Sequence, residues 1–207
     1  EYVSLPRPGT EYVGFDASRP PFDDRRVRRA FVLATDRDTL VDGVLRGTAF
    51  PAPGGFVPPG MLGHSPGIAL PYDLDGARQL LVEAGCPDGR GFPAVELLAD
   101  HKRRPTSEHL RAHWWENLGV EIRQETMEWG VFFDTLDRKP PHMYCIGDAA
   151  DNPSADLLRD LPFPRLTRWQ NETYDRLVGH GPGREGRAVP GSGQDPGRGG
   201  GGHAFGL

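Results

Sequence analysis

His109 and His113 stand four apart in HLRAH, with His101 nearby, and on a helix that spacing puts both imidazoles on one face, as a zinc site requires. The stretch lacks the glutamate that a metalloprotease helix uses as its base, so exposed or capping histidines are expected and no metal is assigned. Ser192 is the only serine between glycines, in PGSGQ, without the preceding strand and following helix of a nucleophile elbow. Paired carboxylates occur at Asp23 and Asp24 and at Asp148 and Asp151, on loops where such acids usually cap helices. None of these sets forms a catalytic constellation, so no enzyme and no cofactor are expected. Asp151 in DAADNPSAD and Trp129 in EWGVFF offer a carboxylate and an indole. Against an ammonium these contribute about 1.5–3 kcal/mol and about 0.5–2 kcal/mol respectively. The competing structural roles are a cap for Asp151, on the helix expected over residues 154–161, and a core position for Trp129.

Those two residues depend on the elements around them. FPAVELLAD (residues 92–100) is a compact apolar run that suits a buried strand. PTSEHLRAHWWENLG (105–119) follows as a helix, with Thr106 or Ser107 as N-cap, a stripe of Leu110, Trp114 and Leu118, and Gly119 as its stop. VEIRQETM (120–127) alternates as a second strand. EWGVFFDTLDRK (128–139) is a short helix with Val131, Phe132 and Leu136 inward, and HMYCIG (142–147) is a third strand. Strand, helix, strand, helix, strand describes βαβ units with parallel strands. The loop at 148–156 then leaves the carboxyl end of a strand, where open α/β sheets bind ligands, on the same rim as Trp129.

Upstream, YVGF (12–15) reads as a strand. Asp23 or Asp24 caps a helix with Val27, Ala30, Phe31 and Ala34 on one face and Arg25, Arg26, Arg28 and Arg29 on the others, a row expected to be solvated or salt-bridged. Asp36 caps a second helix with a stripe of Leu40, Val41, Val44 and Leu45, ended by Gly47. Residues 48–71 are too rich in Pro and Gly for regular structure. Asp73 caps a helix with Ala77, Leu80, Leu81 and Ala84 inward, stopped by Gly85.

EWGVFFDTL followed by a strand and AADNPSADLL, PPFDDRRVRRAFVLATDRDTLVDGVL (20–45), VPPG (57–60), and YDLDGARQLLVEAG (72–85) together resemble the extracytoplasmic solute-binding proteins of the oligopeptide and dipeptide ABC importers. The resemblance covers residues 12–178. It implies an α/β fold: one lobe, with its core at about 72–165, plus part of the second lobe of a two-lobed periplasmic-binding-protein-like (type II) clamshell. It implies a monomeric subunit outside the cytoplasmic membrane that captures a peptide or other small solute and presents it to a permease at the membrane surface. Carried over by motif, Trp129 lines the ligand cavity and Asp151 meets the α-ammonium of a peptide. Asp148 stands where peptide binders usually place an aromatic, and Cys145 where some place an arginine. The family also carries sugars, nickel and other solutes, and Asp148 beside Asp151 suits an amine-bearing one. Family members are exported, and the missing signal segment with the abrupt start implies the C-terminal part of a longer protein. The alternative is a structural fragment without a working site.

With 37% hydrophobic and 26% charged residues over 207 positions the composition is that of an ordinary globular chain, and a net charge of −5 with no basic stripe argues against nucleic acid. Cys86 and Cys145 either pair, as an exported protein allows, or act as small buried hydrophobes. Residues 179–207 hold twelve of the 28 glycines and one aromatic, too little to build a core. They are expected to lack regular structure, as a linker or as the product of a reading-frame slip. Read one nucleotide later, Gly and Arg codons become GNN codons, and the tail becomes rich in Ala, Glu, Leu and Arg, the composition of an amphipathic helix.

Overall fold

A computed structural model of the protein describes residues 9–61, 63–149, 163–178 and 203–206. Its strands are β1 (Gly9–Phe15), β2 (Ala49–Pro51), β3 (Val95–Asp100), β4 (Ile122–Met127), β5 (Met143–Ala149) and β6 (His203–Gly206). Its helices are α1 (Arg25–Leu33), α2 (Arg37–Thr39), α3 (Leu74–Glu83), α4 (Arg104–Leu118), α5 (Trp129–Arg138), α6 (Phe163–Thr167) and α7 (Glu172–Val178). One sheet runs in the order β2-β6-β1-β5-β3-β4. As expected of βαβ units, β3 is parallel to both β4 and β5, whereas β1 lies antiparallel against the whole of β5, from Gly9 opposite Ala149 to Phe15 opposite Met143.

Alternation along the central strands feeds two separate cores. Val13, Phe15, Leu97, Ala99, Met143 and Cys145 enter one cluster with Ala30 and Phe31 of α1, Ala77 and Leu81 of α3, and Leu110 and Trp114 of α4. Tyr12, Leu98, Tyr144 and Ile146 enter the other with Phe132 and Leu136 of α5 and Leu166 of α6. The architecture is therefore three-layered, with helices on both faces of the sheet, as strands buried on both sides require. The core reaches well upstream of residue 72, because β1 and α1 supply the sheet's interior and the largest aromatic cluster, Phe15, Phe22, Phe31, Phe92 and Trp114.

The helix entries follow local side-chain chemistry. Asp24 accepts from the Arg26 N–H at 2.8 Å, Asp36 from those of Asp38 and Thr39, and Asp73 from that of Gly76. Leu40–Val44 continues α2 as a π-helical turn. In the basic row, Arg26 pairs with Asp24 and donates to the Glu83 carbonyl, while Arg28 donates to the carbonyls of Phe22 and Asp23. The salt-bridged expectation therefore holds for Arg26, while Arg28 is satisfied by backbone carbonyls instead. One cap differs from expectation. Thr106 and Ser107 are buried inside α4, and the chain enters through a 3-10 turn, His101–Arg103, capped by Asp100. Pro105 in the first turn suits this earlier start.

Trp114 joins α4 to the end of α1. Its indole is fully buried, and Nε1 donates to the Thr35 hydroxyl at 2.9 Å, which itself donates to the Phe31 carbonyl. Asn117 Nδ2 donates to the Ala34 carbonyl, so carbonyls left free by the last turn of α1 are satisfied from α4. α4 stops at Gly119 with φ 69°, where the carbonyl sits so close to Gly89 that a Cβ there would lie 2.2 Å away. Neither glycine can carry a side chain without moving the backbone.

Two further expectations change, and the alternatives for the cysteines are decided. Residues 48–71 contain one short strand, β2, among the turns. Cys86 and Cys145 are both free thiols, and Cys145 is fully buried in the main core. Of the tail, 203–206 forms a strand between β1 and β2, where the absence of any regular structure was expected; the rest lies outside the described residues. Two edges with unpaired backbone groups order a short segment with no core of its own.

Trp114→Ala should cost about 3–5 kcal/mol of unfolding free energy in urea titrations, with Trp114→Phe losing less because the ring stays while the Thr35 hydroxyl loses its donor.

Acid should weaken the fold through two histidines. Burial lowers the pKa of His109, reinforced by His113 and opposed by Asp36 and Glu116, and burial lowers that of His142, reinforced by Arg19 and opposed by Glu96 and Asp16. Both folded-state values lie below the unfolded value of about 6.5, so this stability is fully present above pH ~6.5 and is lost as pH falls through the folded values. The urea midpoint should fall over that window, and His109→Gln with His142→Asn should flatten the decline.

Candidate functional site

The strand ends define one rim. β3 finishes at Asp100, β4 at Met127 and β5 at Ala149, and the antiparallel β1 begins there at Gly9. β5 runs past β3, so Gly147–Ala149 has only β1 beside it among the described residues.

Arg103 is the charged centre of this rim. It leaves the 3-10 turn after β3 and is 8% exposed. Its Nη1 lies 2.5 Å from Asp100 Oδ2, and Asp100 Oδ1 accepts from the Arg103 N–H at 2.8 Å. Nη2 lies 3.4 Å from Glu11 Oε1 on β1. The guanidinium carbon stands 5.8 Å from the centroid of the Trp129 ring, within cation–π range. Gly147 on β5 provides the floor, where a Cβ would come within 2.4 Å of Nη2 and 3.0 Å of Glu11 Cγ. Any side chain at 147 would displace the cluster.

Trp129 opens α5, whose N-cap, Glu128, accepts from the N–H groups of Gly130 and Val131. The ring is half-buried, edge-on to Phe133 at 4.5 Å and stacked near Phe132 at 5.9 Å. It is thus both a core residue and a rim residue, with a cation of the protein's own against it. Asp148 lies in β5 at the register position opposite Thr10. Asp151 lies outside the described residues.

Cys145 stands apart. Its strand parity turns it into the main core, where it is fully buried. Burial pushes its thiol pKa far up, with Glu11 and Asp100 adding and Arg103 opposing. Arg103, Asp100 and Glu11 escaped sequence reasoning because their contacts join three separate elements. One local signal was present: an acid closing an apolar strand immediately before the basic run HKRR.

At this rim the carboxylates of Glu11 and Asp100 both pair with Arg103, in the basic run that follows β3. Arg103 is held by both acids, though its Nε is buried without a hydrogen-bond partner. Elsewhere the candidate chemistry is quieter. His109 and His113 stack with centroids 5.4 Å apart, and no group of three metal-ligating residues occurs among the described residues. A 360 Å³ cavity lined by Ala17, Ser18, Asp23, Arg28, Arg168 and Trp169 lies at the opposite end of β1. There the buried Asp16 is gripped by Arg19 and Arg168 at 2.8 and 2.6 Å.

Residues 2–163 match the family model for bacterial extracellular solute-binding proteins, family 5. The chain is 27% identical over 181 residues to the dipeptide-binding protein of Escherichia coli K12, covering 84% of this chain and 33% of that protein. It is 30% identical over 194 residues to the probable deoxycholate-binding periplasmic protein of the same organism, covering 84% and 34%. Among solved structures, a periplasmic oligopeptide-binding protein from Borrelia burgdorferi superposes with a TM-score of 0.76 at 23% identity, over 86% of this chain and 37% of that one. The chain thus spans about a third of the length of the curated relatives it matches, and the superposition supports the fold.

If Asp100 anchors the rim, Asp100→Ala should lower unfolding free energy by about 3 kcal/mol, since it leaves a buried guanidinium with Glu11 alone. The double variant with Arg103→Met should recover most of that loss in the same denaturation experiment.

Proposed function

The chain belongs to the bacterial extracellular solute-binding proteins of family 5, and on that premise we propose that it is a ligand-binding lobe of an importer's capture subunit, taking peptides or a related amine-bearing solute. The observation that carries the reading is the rim itself. Three strand ends, a helix start and the first residues of β1 converge there, and they bring an indole, two carboxylates and one already neutralised guanidinium together. Open α/β sheets bind ligands at such strand ends. A carboxylate beside an aromatic face suits an ammonium group, held by the acid and laid against the ring. Asp148 and Asp151 follow Gly147 on the chain and are the carboxylates assigned to the solute, with Trp129 as the ring. Cys145 supports the floor from the core side.

In this role the solute is bound and released without being transformed. Hinge closure against a second lobe sequesters it, and a membrane permease receives it, placing the working protein outside the cytoplasmic membrane. No helix among the described residues is long and apolar enough to cross a membrane.

Titrating the 207-residue chain with a dipeptide and with its N-acetyl form, followed by NMR, tests the reading. Shifts should concentrate at Glu11, the Trp129 indole N–H, Gly147 and Asp148, and only with the free amine. Asp148→Asn should weaken that binding about ten- to hundredfold, the worth of a hydrogen bond to a charged group. Equal shifts with both ligands, or none at these residues, would remove the rim from solute capture.

A further inference from the structure

The cavity past the carboxyl end of β1 is a second polar site, and the solute rim does not use it. Its 360 Å³ lies within the ~300–1,000 Å³ of small-molecule sites, and Ser18, Asp23, Arg28, Arg168, Trp169 and Gln170 line it. Its walls are fixed from behind. The Ala17 N–H donates to the Thr167 carbonyl at 2.8 Å, which ties the chain after α6 to the end of β1. Arg168 has a left-handed backbone, φ 52°, which a non-glycine residue holds only where its surroundings impose it. Its Nη1 meets the buried Asp16 at 2.6 Å.

Donors outnumber acceptors here. Asp16 is saturated: Oδ1 accepts from the Ser18 N–H and hydroxyl, and Oδ2 meets both Arg19 Nε and Arg168 Nη1. Asp24 is occupied by Arg26, and one Asp23 oxygen accepts from the Asp24 N–H. Arg28 gives only Nη1, to the carbonyls of Phe22 and Asp23, and forms no ion pair among the described residues. Nε and Nη2 of Arg28, the same two nitrogens of Arg168, the Trp169 indole N–H and the Gln170 amide therefore have no acceptor among the described residues.

We propose that this cavity is an anion-binding site, separate from the solute rim, that takes a small carboxylate carried on a flat apolar body. The carboxylate lies between the guanidiniums of Arg28 and Arg168, whose planar forks of N–H groups match its two oxygens. The body lies against Trp169, whose ring is 39% exposed and braced by Tyr174 at 5.5 Å. Asp23 on the wall limits the charge that is accepted, so a monoanion is preferred to a phosphate dianion. The proposal is independent of what the rim takes. Glu11 of the rim and Asp16 behind the cavity are five residues apart on extended chain, about 16 Å, so neither occupant touches the other.

Titrating the 207-residue chain with benzoate, benzamide and inorganic phosphate, followed by NMR, tests the site. Benzoate should shift the Trp169 indole N–H, the Gln170 side-chain amide and the Ser18 amide, while the Trp129 indole and Gly147 stay still. Benzamide, which lacks the charge, and phosphate, which lacks the ring, should each bind about tenfold more weakly or worse. Gln170→Glu changes an exposed residue and sets a second acid beside Asp23, so benzoate affinity should fall about tenfold or more at an unchanged melting temperature. No shift at Ser18, Trp169 and Gln170, equal binding of benzoate and benzamide, phosphate matching benzoate, or an affinity indifferent to Gln170→Glu would overturn the site.

Discussion

The whole lobe depends on β3 and β5 being buried on both faces. Odd and even positions of these strands enter different cores, so Leu97 and Leu98 pack on opposite layers, as do Cys145 and Ile146. A one-residue slip in either strand would exchange the two sets at once and put Tyr144 where Met143 fits. Register is therefore fixed by shape on two sides at the same time. The helices are placed by the same constraint, with α1, α3 and α4 covering one face and α5 and α6 the other.

Because register is fixed, the rim can hold charges at short range. Arg103 is nearly buried, a condition that requires paired acids and a cleared space. Asp100 comes from the strand before it, Glu11 from the antiparallel neighbour, and the space from Gly147. Each of these sits at a position that the two-core register dictates. Trp129 completes the enclosure from the start of α5, with its other edge on Phe133, so the polar rim and the second core share one side chain.

Much of this was legible in the sequence where the signal is local. The strands at residues 92–100, 120–127 and 142–147, the helices between them and the caps Asp24, Asp36 and Asp73 all show in periodicity and cap chemistry, because neighbours in the chain create them. The antiparallel placement of β1 was not legible, since YVGF carries no mark of which strand it will meet. Arg103 was hidden for the same reason: its partners lie on two other strands and a helix. The entry to α4 was misplaced because Thr106 and Ser107 are good capping types, yet Asp100 reaches the preceding turn first and the two hydroxyl residues fall on the buried face. β6 was missed because a four-residue strand among glycines has no periodicity to read.

The pairing of β1 with β5 also sets an order in time. Everything from Asp16 to His142 must be synthesised before the first strand meets the partner that covers its inner edge. At ordinary rates of synthesis that delay is on the order of ten seconds. Through it, Val13 and Phe15 have no sheet to join, while the local α1–α3 contact can already form. Until then the nascent chain carries an unsatisfied, apolar strand, the kind of segment that holding chaperones engage. Assembly of this lobe therefore cannot begin at its middle strand pair, and β6, made later still, joins after it.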